Sequence, residues 1–291
     1  MMANILITGA GRGFGQLITD SLLNKGHTVV ATMRDTQGRN SDSASAFQQK
    51  GAIVVEMDVT SSESVDAAVQ TSLRTTGGID VVINNAGVGV LGLQEAFTIE
   101  DWHRIFDINV FGVQRVIRAV LPHMREKRSG LLISISSLLG RFVLPFYGPY
   151  NASKHALEAM ADNYRIELSG FGIESIIVEP GAFGTEFSAG LLRPSDTART
   201  ASYGPMADIP EAGLKSFEQH LHSEHAPKPQ WVADAVVKLI DTPRGERPFR
   251  TIVDGMGMGN AIAPYNQAAE QAQAGIYGAM GISHLLKLNT D

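Results

Sequence analysis

Short apolar runs rich in β-branched residues recur along the chain, and almost every one is followed by a longer stretch whose apolar positions repeat with helical period. The runs are NILIT (4–8), HTVVAT (27–32), AIVVEM (52–57), IDVVIN (79–84), GLLISIS (130–136), GIESIIVE (172–179) and FRTIVD (249–254). Their apolar residues are consecutive rather than alternate. Strands buried on both faces need that pattern, so it predicts a parallel sheet with helices on each side. Right-handed crossovers between such strands give an open, doubly wound α/β sheet of about seven strands, whose ligand crevice lies beyond the carboxyl ends of the strands. Chemistry is expected there. Two stretches break the rhythm: 182–228, with scattered Pro, Gly and His, and the tail after 255, rich in Gly, Ala and Gln. With no internal repeat and no dividing linker, one domain is expected over 1–255, with an extension over 256–291 packed on it.

Composition narrows the partners. The 291 residues are 44% hydrophobic and 19% charged, enough to bury a full core. A net charge of −6 offers no electrostatic footprint for a nucleic-acid backbone or an anionic membrane, which leaves small molecules. The absence of cysteine excludes disulfides and thiolate metal sites and fits a reducing compartment. MMANILITGAG lacks a basic leader followed by a long apolar stretch, and no run of eighteen apolar residues follows, so a cytoplasmic protein is expected. HLHSEH (220–225) lacks the regular histidine spacing and acidic backing of a metal site, and no metal is expected at His220, His222 or His225.

Directly after the first run comes TGAGRGFG, with Gly9, Gly13 and Gly15 leading into an amphipathic helix. Such glycines let the backbone approach a diphosphate, while the free amides and positive end of the helix favour its charge. At the end of the second run, Met33 stands where an acid would hold an adenosine ribose. Arg34 follows it, and Arg12 lies in the glycine turn. Together they could clasp a 2′-phosphate, which favours NADP over NAD. Asp35 is close enough to compete for the acidic place. Asp58 and Val59 end the third run, where an adenine would lie, and Asn85, Ala86 and Gly87 line the crevice after the fourth.

GPYNASKHALEAM (148–160) places Tyr150 and Lys154 four residues apart, on one face of a helix. A nearby ammonium favours the phenolate, so Lys154 is expected to lower the Tyr150 pKa and make tyrosine a usable proton carrier. Ser137 closes the fifth run and can bond a substrate oxygen. Alternation along the strand sends its neighbour Ser136 to the other face, and Tyr147 reads as a pocket wall or core aromatic.

TGAGRGFG, Asp58, NNAG, Asn109 in DINVFG, Ser137 in ISISSLLG, YNASK and EPG (179–181) together resemble the short-chain dehydrogenase/reductase family, in its non-extended branch, over about residues 3–255. ATMRDTQGR and GPYNASKHALE resemble its 17β-hydroxysteroid and retinol dehydrogenase-like members. The resemblance implies a single Rossmann-like domain in which Tyr150 exchanges the proton, Ser137 holds the oxygen, Lys154 also binds the nicotinamide ribose and Asn109 supports a water-linked proton path. Pro180, Gly181 and Thr185 match the segment that holds the nicotinamide. Phe14 takes a place usually held by Ile or Leu, where the backbone does the binding. A homodimer or homotetramer is also implied. A carbonyl reductase or alcohol dehydrogenase acting on a medium-sized apolar substrate is expected, the alternative being a catalytically silent NADP(H)-binding regulator. The stretch 182–228 matches the substrate lid, where Phe183, Phe187, Leu191, Leu192, Tyr203, Met206 and Phe217 serve either as pocket walls or as packing between short helices.

Overall fold

The computed structural model describes residues 2–221 and 226–290. His222 and His225 lie outside the described residues, as does the side chain of His220. Seven strands form one sheet: β1 (Asn4–Thr8), β2 (Thr28–Met33), β3 (Ile53–Glu56), β4 (Val81–Asn84), β5 (Gly130–Ile135), β6 (Ile173–Pro180) and β7 (Arg250–Val253). Their order is β3-β2-β1-β4-β5-β6-β7, and every pairing is parallel. All seven predicted runs are strands, displaced by at most a residue or two at their ends.

The consecutive apolar residues go to two different cores. Ile5 and Ile7 of β1, Val81 and Ile83 of β4, and Leu131 and Ile133 of β5 face one cluster, while Leu6, Val82 and Leu132 face another. The first cluster is closed by α1 (Gly13–Asn24), α2 (Ser41–Gln49) and α9 (Gln230–Asp241). The second is closed by α3 (Ser62–Thr76), α5 (Gly112–Lys127) and α6 (Gly148–Glu167). Each fully buried aliphatic side chain contributes about 1.5–3 kcal/mol to this sandwich.

Between β4 and α5 lie α4 (Ile99–Phe106), which begins with a reciprocal Thr98–Asp101 cap, and one widened helical turn (Asp107–Phe111). After β6 the chain forms α7 (Thr197–Ser202) and α8 (Ile209–Leu221) before α9, and after β7 it forms α10 (Gly259–Ala279). The chain turns from β1 toward β2 on one side and returns through β4 on the other, so the crevice opens beyond the carboxyl ends of β1 and β4. Among the described residues no helix is long and apolar enough to cross a membrane.

Candidate active site

The glycine turn joins β1 to α1. Gly9 and Gly13 have φ of +67° and +56°, where a side chain is strained. Gly15 is needed for a different reason: a methyl group there would lie 2.1 Å from the Gly9 carbonyl oxygen and 2.6 Å from Asn85 Nδ2. Asn85 supports the turn from behind, donating from Nδ2 to the carbonyls of Thr8 (2.9 Å) and Gly9 (3.1 Å). Thr8, which the motif reading passed over, accepts the amides of Asn85 and Ala86 at 3.1 and 3.0 Å. The start of α1 has no side-chain cap and no acidic residue in its first turn, whereas Ser61 caps α3. Uncapped amides at a positive helix end, held by a tightly packed glycine turn, fit a pyrophosphate.

The adenosine end is less assembled. Met33 is buried, with its sulfur against Gly11. Asp35 turns its carboxylate back to accept the Arg39 amide at 2.9 Å. Arg34 lies 3.8 Å from Asp58 with half of its side chain exposed. Arg12 instead reaches toward Gly190 on the lid. The two guanidiniums thus follow different neighbours, Gly190 and Asp58. Ser43 donates to the Gly11 carbonyl at 2.9 Å, and Asn40 packs beside Gly11. Both bring the loop after β2 against the glycine turn, and only the folded chain shows this, since neither belongs to a spaced motif. Thr185 lies beside Gly13 and the Phe14 ring packs edge-on against Phe183 at 5.6 Å, which places the start of the lid over the turn.

The second half of the crevice is built from side chains. α6 begins at Gly148, and Pro149 suits its first helical turn. Tyr150 and Lys154 lie on its buried face. Ser137 follows β5, and its hydroxyl, which accepts the Leu139 amide at 3.1 Å, acts to lower the pKa of the Tyr150 phenol. Lys154 Nζ donates to the Ile135 carbonyl at 2.8 Å and sits 5.7 Å from the centre of the Tyr150 ring. Gly87 leaves room beside this amine: a methyl there would lie 3.9 Å from Lys154 Nζ and 3.4 Å from Asn109 Oδ1.

Asn109 sits in the widened turn, where its side chain accepts from Val88 N and donates to Val88 O, both at 2.9 Å, and donates to Ser153 Oγ at 3.0 Å. Ser153 in turn donates to the Tyr150 carbonyl at 2.8 Å. The Asn109 amide is thus engaged in tying the loop after β4 to α6.

The electrostatics differ from the sequence expectation. Burial pushes the Tyr150 phenol up to about 12, and the Ser137 hydroxyl only partly opposes it. The nearby Lys154 amine does not offset that burial. Burial pushes the Lys154 ammonium down to about 8, the charge of Glu158 opposing. Desolvation disfavours both charged forms, and the amine, aimed at Ile135 O, does not compensate the phenol.

The lid residues divide between the two expected roles. Phe187 lies 5.8 Å from the Tyr150 ring and is 41% exposed, and Leu192, Leu139 and Tyr147 pack against the buried cluster that holds Val90 and Tyr150, so these sit around the Tyr150 ring. Leu191 packs with Leu91 and Leu214. Phe183 is a packing residue between Phe14 and Trp231. Tyr203 and Met206 are exposed and Phe217 is half-buried on α8. Among the described residues no cluster of His, Asp and Glu could hold a metal.

The family model described as short chain dehydrogenase matches residues 3–195. The chain belongs to the short-chain dehydrogenase family. It is an NAD(P)-dependent oxidoreductase of that family. It is 35% identical over 249 residues to a 3-ketodihydrosphingosine reductase of Bacteroides thetaiotaomicron, covering 86% of this chain and 87% of the relative. Retinol dehydrogenase 8 of Bos taurus is 33% identical over 254 residues, covering 85% and 80%. The crystal structure of a short-chain dehydrogenase from Streptomyces avermitilis superposes with a TM-score of 0.77 at 29% identity, covering 97% of each chain. Similar solved dehydrogenases are complexed with NADP in some cases and NADH in others, which supports a nicotinamide cofactor for this chain.

Proposed function

We propose that this dehydrogenase interconverts a ketone or aldehyde and the corresponding alcohol with NADP(H), acting on a medium-sized apolar substrate. The observation that carries the reading is the convergence of Ser137, Tyr150 and Lys154, with Gly87 beside the amine, in a fold whose α1 begins with uncapped amides. When bound, the nicotinamide supplies or accepts the hydride. The chain's own residues handle the oxygen and its proton. Ser137 bonds the substrate oxygen, and the Tyr150 hydroxyl donates its proton to it in the reducing direction or accepts it back in oxidation. Burial suits the first of these, because a phenol pushed up to about 12 holds its proton until an oxygen that is gaining negative charge comes within reach. Lys154 provides a positive charge close to the phenol and reaches the place of the nicotinamide ribose, beside Gly87. Asn109 positions α6 and the loop after β4 so that protons can be resupplied at Lys154. Pro180, Gly181 and Thr185 are assigned to the nicotinamide end, and Asp58, Val59, Asn85, Ala86 and Gly87 to the rest of the crevice.

NADP is preferred here on three supports: no acid stands at Met33, Asp35 is engaged in its own loop, and Arg34 and Arg12 are exposed. The substrate class is read from the apolar residues packed with Tyr150, with Leu139, Tyr147 and Leu192 against its cluster and the exposed Phe187 ring 5.8 Å away. The names of the reductase and retinol dehydrogenase relatives point the same way. A cytoplasmic location and a homo-oligomer complete the proposal, on the absence of cysteine and on the family's habit respectively. A silent regulator would have no use for a buried proton-bearing pair.

The test is a panel of aliphatic ketones, steroids, retinoids and quinones followed by absorbance of the reduced cofactor. Turnover with at least one apolar carbonyl is expected, with kcat/KM higher for NADPH than for NADH. Saturable NADPH binding with no turnover across the panel would overturn the catalytic reading, and a preference for NADH would overturn the cofactor assignment.

A further inference from the structure

A second polar cluster is buried behind the reaction centre, on the α6 face of the sheet. Glu179, the last residue before Pro180, is fully buried, and among the described residues its Oε1 has no hydrogen-bond partner. Its Oε2 accepts from Asn266 Nδ2 at 2.7 Å. Asn266 belongs to α10, beyond the stretch matched by the family model. The other end of the same carboxamide, Oδ1, accepts from Arg141 Nε at 2.6 Å, and the Arg141 guanidinium lies 4.7 Å over the Tyr265 ring. Arg141 is itself locked to the catalytic serine's turn: its amide bonds the Leu138 carbonyl at 2.9 Å, and the Gly140 amide bonds that of Ser137 at 2.9 Å.

One buried amide thus spans the two strand ends that flank the reaction centre. We propose that Asn266 is a positioning residue, joining the Ser137 turn to the Pro180–Gly181 strand end so that the group holding the substrate oxygen and the segment assigned to the nicotinamide keep a fixed separation. The sheet's last rung, from the Ser136 amide to the Val178 carbonyl at 2.8 Å, joins the strands just before this point, and beyond it no other hydrogen bond among the described residues links the serine turn to the Pro180–Gly181 end. Arg141 Nε and Glu179 Oε1 are 3.9 Å apart, an ion-pair distance but too long for a hydrogen bond. Arg250 contacts Glu158 at 3.0 Å, Glu179 at 3.5 Å and Asp162 at 3.6 Å, which fastens α6 to β6 and β7 but does not reach the serine turn. An asparagine suits the bridge chemically. Its carbonyl accepts from the cation while its amino group donates to the anion, and the planar amide fixes the distance between them. A second anchor sets the start of the same helix: Asp254 accepts the Gly259 amide at 2.8 Å, and its carboxylate packs so closely on Gly181 that a methyl there would lie 2.3 Å from Oδ1.

The link can be tested without turnover, so its failure would be distinct from failure of the oxidoreductase reading, on which only its catalytic consequence rests. Hydrogen–deuterium exchange on the full chain would compare Asn266→Ala and Arg141→Met with Glu270→Gln. Glu270 is one turn further along α10 and holds the helix to Arg250 at 3.3 Å. Both bridge variants are expected to speed amide exchange by about tenfold in segments 138–147 and 181–187 together, with Glu270→Gln staying within about twofold of wild type. With the best carbonyl of the panel, Asn266→Ala should lower kcat by a similar factor while the NADPH Kd, read by fluorescence, changes less than about threefold. The bridge is overturned if either segment keeps its wild-type exchange in folded Arg141→Met and Asn266→Ala. Equal loosening by Glu270→Gln would also overturn it, since the helix would then act only as a cover. Should Asn266→Ala fail to fold, Arg141→Met carries the same decision, because its side chain lies at the outer end of the bridge.

Discussion

The two halves of the crevice work by opposite means. Around β1 and α1 the chain presents backbone: uncapped amides, glycines packed against Asn85 and Ala86, and arginines left in solvent. Around β5, α6 and β6 it presents side chains taken out of water, with Tyr150 at 8% and Lys154 at 6% exposure. A charged cofactor that must bind and leave is well served by solvated, preformed dipoles. Proton exchange needs groups whose charge is costly until an oxygen arrives, and burial provides that. The first half should therefore respond to backbone changes and the second to side-chain chemistry.

The largest break in that contrast is expected at Tyr150. Tyr150→Phe removes the exchangeable proton and leaves the ring's packing, so kcat should fall by about 10³-fold with the NADPH Kd unchanged in a fluorescence titration. Retained turnover would mean that another group carries the proton. Gly15→Ala is the matching test of the binding half. Its methyl would meet the Gly9 carbonyl at 2.1 Å, and NADPH affinity should drop by about 10²-fold, far more than kcat at saturation. An unchanged Kd would show that the turn is not the pyrophosphate seat.

Smaller effects sharpen the comparison through charge. Lys154 is held down to about 8, so its ammonium is present below that pH and is lost as pH rises through it. The rate of carbonyl reduction should accordingly decline above about pH 8, approaching tenfold per pH unit. Folding has the opposite sign. The buried ammonium costs stability in full below about 8, and the cost is relieved as pH rises from there toward the ordinary lysine value. Lys154→Met should therefore abolish the pH step in rate while Tm at neutral pH stays level or rises. A flat pH profile in the wild type would remove Lys154 from the mechanism. The mildest change is Arg34→Ala, where an exposed guanidinium should account for about a fivefold loss in NADPH affinity and none in NADH affinity. Equal losses for the two cofactors would place the 2′-phosphate elsewhere.

Much of this molecule could be read along the chain. Parallel strands buried on both faces write themselves as unbroken apolar runs, so β1 to β7 were legible. Local spacing also exposed the glycine turn and the Tyr150–Lys154 face, since both arise within a single turn of backbone. What spacing could not carry was the direction of each side chain once the elements met. Arg12 and Arg34 separate because one follows the lid and the other Asp58. Lys154 aims at a carbonyl of β5 and the phenol is raised on balance, because how much water reaches a group depends on everything packed around it.

The sequence by itself determined where the strands run, the helix periods and the candidate residues, all of which depend on neighbours within a few positions. Only the tertiary structure decided the proton affinities and the buried bridge. Asn266 lies 125 residues from Arg141 and 87 from Glu179, and no local pattern records that one amide joins them. Solvation and long-range pairing are properties of the packed chain, set by which surfaces exclude water together.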